Sequence, residues 1–396
     1  MNFYLLSVIK AAVVSGVLML TLLYLQWVER KLLAHIQVRL GPYRVGPHGL
    51  LQPIADTIKL LTKEDLMPPG VNKFFFLLAP FLAISLSLIS ISVVPFGPEV
   101  QAGGVRTWMQ LTDLNIGVIF ILAISSLTVY GVVLAGWASN SKYPLLGALR
   151  SSAQMISYEL PLGLAVAAPL LMSNTLSLRE LVQTQEHFYW GFFPAWNLLR
   201  GPWPQVIGFI VFMIAVFAET NRVPFDLPEA ESELVAGFHT EYSSMKFAGF
   251  FMAEYANMIT VCSMGTILFL GGWLPPFPAG YGSKFIPAAA FAAGGLVSLY
   301  HGLYTRHLRD RWSLTAFAGI FFAIAVVFSV PLLQPYLLPL FWFCAKTGLL
   351  LFVFIWVRGT QPRFRYDQLM RFAWSFLFPV AMVNLLATGL LVALFG

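Results

Sequence analysis

Ionisable side chains are scarce in this chain, and several sit where water is not the obvious neighbour. Glu159, Glu219 and Glu254 fall within or at the end of long apolar runs. A carboxylate in such a place costs roughly 2.5 kcal/mol or more to insert into a bilayer, so it marks a polar pathway or a dedicated partner. Glu159 and Glu254 lie about two helical turns from corresponding ends of their runs, and Glu219 closes a third. Three carboxylates at one depth on three helices form a belt suited to accepting and releasing protons; the alternative is that each is neutralised by a neighbouring Arg, Lys or backbone amide. The stretch 219–242 then brings Asp226, Glu229, Glu231, Glu233 and Glu241 against a single Arg222. Acidic runs are usually solvated faces, but Pro224, Phe225, Leu227 and Pro228 interleave this one. That composition predicts packing against membrane helices or a partner protein, with the carboxylates continuing the belt outward.

Basic residues supply the complement. Glu29-Arg30-Lys31 ends the first apolar run and Arg39 follows; Arg363 and Arg365 precede Tyr366-Asp367; Arg150 opens the segment leading to Glu159. By position alone these are topology anchors. Lys346 differs, because an ammonium within an apolar run must find a partner, snorkel outward or serve a proton path. His48, His239 and His307 read as surface residues. Cys262 and Cys344 stand in apolar runs without ligand spacing, which gives no metal site and no thiolate set for zinc or an iron–sulfur cluster.

The elements that must position these groups follow from composition. Of 396 residues 58% are hydrophobic and 11% charged, with a mean hydropathy of +0.75. Soluble domains carry roughly 25% charge, so a soluble globule, a disordered chain and a disulfide scaffold are all excluded. Ten runs are long enough to be spanning helices: 4–27, 74–95, 115–137, 153–172, 204–220, 247–270, 285–302, 314–333, 338–357 and 372–395. The fold class is an all-α polytopic membrane protein of about ten transmembrane helices in a single domain, 1–396. Eighteen of the 24 Lys and Arg residues fall in alternate loops: 28–73, 138–152, 221–246, 303–313 and 358–371. The positive-inside rule places those loops in the cytoplasm and both termini outside. The net charge of +6 therefore reflects topology and implies no nucleic-acid partner.

Within the loop 28–73, Gly41-Pro42 and Gly46-Pro47 mark turns, and the segment 50–63 follows. Leu50, Leu51, Ile54, Ile58 and Leu61 recur at helical spacing, while Asp56, Lys59 and Lys63 share the other face. Too short and too charged to span, this helix should lie in the interface with its apolar face in lipid, either as an anchor or as the floor of an entry for a lipid-soluble ligand.

At this level of detail the chain resembles the H subunit of bacterial respiratory NADH:quinone oxidoreductase. The resemblance rests on Glu29-Arg30-Lys31, the run 37–65, 114–117, Ala135-Gly136-Trp137, 148–159, 222–233, 239–246, Ala253-Glu254-Tyr255, Gly271-Gly272-Trp273, Lys346-Thr347 and 362–368. These cover most of the chain in order. The resemblance implies that the first loop and the helix 50–63 form the entrance and wall of a quinone tunnel, with Arg30, Arg39, Asp56, Lys59, Phe225, Arg363 and Arg365 as quinone-side residues. It implies proton transfer through Glu159, Glu219, Glu229, Glu231, Glu233 and Glu254. It also implies hydrophilic-arm partners that carry the flavin, the iron–sulfur clusters and the quinone head site, small membrane-arm subunits as neighbours, and residence in the bacterial inner membrane. The chain would be catalytic only as part of the assembly. It departs from the family's usual short outer loop before the Lys346 helix, with about 55 extra residues over 280–335 that read as a hairpin with a basic tip.

Two other functions fit parts of the sequence: the related subunit of a membrane-bound hydrogenase or of a ferredoxin- or reduced-deazaflavin-dependent oxidoreductase, and a stand-alone secondary transporter. The extended matches at 52–56 and 362–368 favour the quinone branch, and no internal repeat supports the transporter. The topology predicts Arg309 on the cytoplasmic side; cross-linking that places it outside contradicts it.

Overall fold

The computed structural model of the chain describes residues 3–102, 105–201, 203–226, 236–278, 280, 282–305 and 308–395. Within them the chain is almost wholly helical: α1 (Phe3–Ile36), α2 (Gln52–Thr62), α3 (Lys73–Ser90), α4 (Gly117–Ala138), α5 (Lys142–Ser173), α6 (Leu178–Gln183), α7 (Val206–Glu219), α8 (Ser244–Phe269), α9 (Ile286–Tyr304), α10 (Leu308–Ser329), α11 (Gln334–Thr360), α12 (Tyr366–Phe372) and α13 (Phe378–Phe395). A turn of π-helix, 373–377, joins the last two just ahead of Pro379. Two small antiparallel hairpins interrupt the pattern, one pairing Gly97–Ala102 with Val105–Met109 and the other Phe188–Tyr189 with Phe193–Pro194.

Each of the ten apolar runs coincides with a helix, but only eight of these helices are long and apolar enough to cross a membrane by themselves among the described residues. The two exceptions are α7 and α8. The helix α7 has 14 residues, about 21 Å at 1.5 Å per residue, short of a 30 Å hydrocarbon core. Its C-terminal part, from Ala215 through Ala218, is enclosed by protein, while Val206, Ile207 and Ile210 near its start are exposed. The central helix α8 carries Glu254, Asn257, Thr260, Ser263 and Thr266, which lower its hydropathy, and from Met258 to Phe269 every residue is buried. It packs against α1, α2, α3, α6, α7 and α11. Small residues bring the surrounding helices close, as expected where lipid offers little hydrophobic drive. A Cβ on Gly136 would sit 2.3 Å from Ala148 Cβ, and one on Gly147 would sit 2.8 Å from Gly237 Cα, so α4, α5 and the turn 237–239 are locked together.

The helix α2 spans 52–62 and shows the reverse of a soluble amphipathic helix. Ile54, Ile58 and Leu61 are 41%, 55% and 60% exposed, while Asp56, Lys59 and Lys63 border an internal cleft. That is the arrangement of a helix lying at a lipid interface over a polar interior.

Lys346 is 8% exposed and is fully satisfied within the protein. Its ammonium donates to the carbonyls of Leu270 (2.6 Å), Gly272 (3.0 Å) and Leu274 (2.6 Å), and rests 4.1 Å from the Trp196 ring centroid. Leu270 is the C-cap of α8 and the other two carbonyls lie in the turn that follows, where Gly271 and Gly272 take positive φ, so one cation caps the chain leaving a helix terminus whose acceptors would otherwise be orphaned. The structure thus gives Lys346 a capping role. Lys346→Leu strands these acceptors and is expected to cost about 2 kcal/mol or more, measured as a lower thermal midpoint of the purified assembly; an unchanged midpoint contradicts the capping role.

Candidate functional site: a cleft joined to a buried charge cluster

The site is assembled from α1, α2, α7, α8 and α11. Glu29 is two residues from a Trp in the last third of α1 and is 2% exposed. Around it converge Arg222 Nη1 at 2.9 Å, the Arg358 guanidinium from the end of α11, and the Tyr255 hydroxyl, which donates to Oε2 at 2.6 Å. Arg222 also meets Glu254 Oε1 through Nε at 2.5 Å and lies over the Tyr255 ring at 4.4 Å. One buried carboxylate, Glu29, and one partly buried, Glu254, thus share one buried arginine, with a second arginine at the margin. Beyond them Arg363 reaches Asp226 at 3.4 Å. Asp226 lies outside the helices, and burial pushes its carboxyl above the ordinary range in spite of the nearby Arg363, Arg358 and Arg222. Removing one member of such a cluster leaves an uncompensated buried charge, a loss of about 3–5 kcal/mol.

The turn that delivers Arg222 is fixed by uncharged contacts. Gln154 of α5 donates to Ala218 O at 2.8 Å and Phe225 O at 2.9 Å, and Asn221 donates to Ser151 Oγ at 2.9 Å. Phe364 N donates to Pro224 O at 3.2 Å, and Phe225 packs between the rings of Tyr158 and Phe364.

On one side of the cluster lies a cleft of about 730 Å³ between α1, α2 and α8, within the range of small-molecule sites. Arg30, Asp56, Lys59 and Lys63 line its polar rim, with Arg30 paired to Asp56 at 2.7 Å; Leu22, Leu23, Ala248 and Met252 line its apolar body. Tyr255 forms part of the wall, so one residue faces the cleft and holds Glu29. On the other side is a cavity of about 60 Å³ bordered by Glu219, Glu254, His239, Asn257 and Thr128. Its walls are otherwise mostly apolar, among them Val132, Met155, Phe250 and Phe251, and it is roomy enough for a few waters held by these polar groups. Glu219 Oε2 is buried there without a hydrogen-bond partner. Adjacent hydroxyls of α4 continue the line: Ser125 is within reach of Glu219, and Ser126 donates to Glu159.

Of the residues singled out from sequence, Arg30, Asp56 and Lys59 come together in the cleft, and Glu219 and Glu254 in the cavity, with Glu159 next in line. Phe225 is a buried packing residue of the turn. Arg39 is exposed and bonds Gln37, Arg363 pairs with Asp226, and Arg365 stands exposed at the start of α12; these three lie apart from the cleft lining. Glu229, Glu231 and Glu233 lie outside the described residues, as does His307. His239 corrects the surface reading: it is 7% exposed, enclosed by the rings of Phe238, Phe247 and Phe251. His48 is half-buried and bonded to Ser313. Of the two thiols, Cys262 is buried, whereas Cys344 is exposed on an apolar helix. Sequence reasoning missed Glu29, Tyr255 and Arg358 as site residues. The available signal was Glu29 itself, an acid placed before a basic flank that otherwise only marks topology.

Fold and site together define a polytopic membrane protein with a cleft beside a cluster of partly and fully buried carboxylates. A family model described as NADH dehydrogenase matches residues 9–389. The chain is 69% identical over 392 residues to the first NADH-quinone oxidoreductase H subunit of Solibacter usitatus, covering 99% of this chain and 98% of that one. It is 48% identical over 402 residues to the second H subunit of Koribacter versatilis (99% and 98%) and 44% identical over 405 residues to the second H subunit of Geobacter metallireducens (100% and 97%). The chain belongs to the family of NADH-quinone oxidoreductase H subunits.

Burial pushes the His239 ring down to about 4 from 6.5. Unfolding lets it bind a proton between those values, so the stability tied to the neutral ring is complete above pH 6.5 and is lost progressively as pH falls toward 4. His239→Phe, which suits the aromatic surroundings, is expected to flatten that acid limb in thermal unfolding of the assembly; an unchanged limb contradicts this role.

Proposed function

We propose that this protein admits quinone from the bilayer to the reaction chamber of a proton-pumping NADH:quinone oxidoreductase and passes the consequence of its reduction to the membrane arm through buried carboxylates. The observation that carries this reading is the shared wall: Tyr255 lines the cleft with its ring and holds Glu29 with its hydroxyl. The apolar body of the cleft fits a prenyl tail, and its Arg30–Asp56 rim fits the passage of a polar head. Electrons come from a partner subunit's terminal iron–sulfur cluster, with flavin and the other clusters further along the hydrophilic arm. This chain contributes access, orientation and protons, and it turns over only in the assembly.

The relay runs from the Glu29–Arg222–Glu254 cluster, across the water-sized cavity, to Glu219 and then Glu159. A change of charge in the chamber redistributes protons among these groups. They form one connected set, so the unit that responds is the set and no single residue. The acidic run with Glu229, Glu231 and Glu233 would extend the relay to the chamber. The α2 end of the bundle is then cytoplasmic, both termini are outside, and the membrane is the bacterial inner membrane. The alternative hydrogenase-type assembly would use the same relay without a quinone tail in the cleft.

Ala248→Trp narrows the cleft without touching a charge. It is expected to raise KM for long-tailed quinone about tenfold, equivalent to about 1.4 kcal/mol, while NADH oxidation by a water-soluble acceptor is unchanged. A normal quinone KM overturns the entry role. Glu159→Gln combined with Glu219→Gln is expected to leave assembly intact and abolish most proton translocation per quinone reduced; full coupling in that variant overturns the relay.

A further inference from the structure

The hairpin α9–α10 has no part in the relay. It packs tightly on itself: Gly302 abuts Leu314 and Thr315, Ser298 Oγ donates to Leu314 O at 2.9 Å, and Phe291 stacks on Phe328 with both against Phe341 of α11. Otherwise its helices are largely exposed, with 17% and 6% of their apolar windows buried. Its tip is the exception. Asp310 accepts a hydrogen bond from the Tyr43 hydroxyl, and Ser313 Oγ lies 2.9 Å from His48 Nε2. Phe317 packs beside the His48 ring, which in turn meets Tyr43 edge-on at 5.7 Å.

Tyr43 and His48 belong to a compact turn that leads directly into α2. Lys31 of α1 donates to Pro42 O at 3.0 Å, Leu51 N donates to Val45 O at 3.3 Å, and Gly49, at φ +81, runs so close to Pro42 that a Cβ would sit 2.4 Å from its carbonyl oxygen. Such a turn moves as a body. Beyond it, α2 is held midway by Arg30–Asp56, and its far end by Ser244 Oγ donating to Leu60 O at 2.9 Å and by Lys246–Asp65 at 2.9 Å. The near end of α2 has the turn as its tie, and the turn is pinned to α1 by Lys31 and to the hairpin by the two contacts at 43/310 and 48/313.

We infer that the tip of the α9–α10 hairpin is a latch that fixes the start of α2, with Tyr43, His48, Asp310 and Ser313 as positioning residues for the wall of the cleft. The structural claim stands on these contacts; its consequence for quinone rests on the function proposed above. A lipid-exposed hairpin is well placed for this task, because its length spans the bundle and its base is anchored in the aromatic contacts with α11. The interfacial helix is thereby tied to the far side of the membrane domain through a strut.

The test is hydrogen–deuterium exchange on the whole assembly carrying Tyr43→Phe and Ser313→Ala, a pair that deletes two hydroxyl groups and, besides the two latch contacts, removes the bond from Ser313 Oγ to Asp310 O within the hairpin itself. Local opening sets the exchange rate. Amides of the first turns of α2 should exchange about tenfold faster, with α3 and α8 unchanged, and Asp310→Asn, which keeps an acceptor for Tyr43, should behave as the parent. Unchanged exchange over the start of α2 in the double variant overturns the latch, and so does an increase spread evenly over the chain, which would mean general destabilisation. Steady-state kinetics on the same sample separates the two claims. Faster exchange with a raised KM for long-tailed quinone supports both. Faster exchange with an unaltered KM upholds the latch and counts against the cleft as the quinone entry.

Discussion

Everything around the site depends on one buried arginine. Arg222 sits between Glu29 of α1 and Glu254 of α8, so it joins two helices through charge where the surroundings cannot solvate any of the three. A buried pair is weak evidence for stability by itself, because desolvation offsets most of the attraction. What it does enforce is geometry: each charge must stay within contact of the others, so α1, α8 and the turn after α7 cannot drift apart without exposing an unpaired ion. Arg358 adds the end of α11 to the same constraint. The turn that carries Arg222 is held by amide and hydroxyl contacts to α5, which makes the position of the charge independent of the charge itself.

This arrangement explains why the cleft and the cavity are neighbours. Tyr255 and Phe251 stand on consecutive turns of α8; Phe251 borders both spaces, and Tyr255 joins the cleft to Glu29. A ligand in the cleft therefore touches α8 at Phe251 and Tyr255, beside the neighbouring face on which Glu254 borders the cavity. Glu219, at the end of the short α7, closes the cavity from the other side. Glu219 ends a helix of 14 residues whose C-terminal part is packed within the protein.

The fold was largely legible in the sequence, since apolar runs in a bilayer protein have few alternatives to helices. The helix α2 was legible too, because its polar and apolar faces separate cleanly. The belt of Glu159, Glu219 and Glu254 could be read from the rarity of charge within apolar runs. What could not be read was pairing. Glu29 looks like part of a topology signal, Arg358 like one more cytoplasmic arginine, and Tyr255 like a core aromatic; only the three-dimensional approach of positions 29, 222, 255 and 358 turns them into one cluster. His239 reads as a surface residue because it sits in a charged loop ahead of Thr240 and Glu241, while in space the rings of Phe238, Phe247 and Phe251 enclose it. Lys346 left three options open, and the three carbonyls at and just after the end of α8 decide among them.

The proposed relay requires that reduction of quinone beside the cleft change the protonation of the carboxylates. Infrared difference spectroscopy of the intact assembly with quinone bound, reduced minus oxidised, reads this directly. A change in the protonated-carboxyl region that appears on quinone reduction and is lost in Glu219→Gln is the predicted result. A difference spectrum with no carboxyl change, or one identical in the variant, would contradict the account.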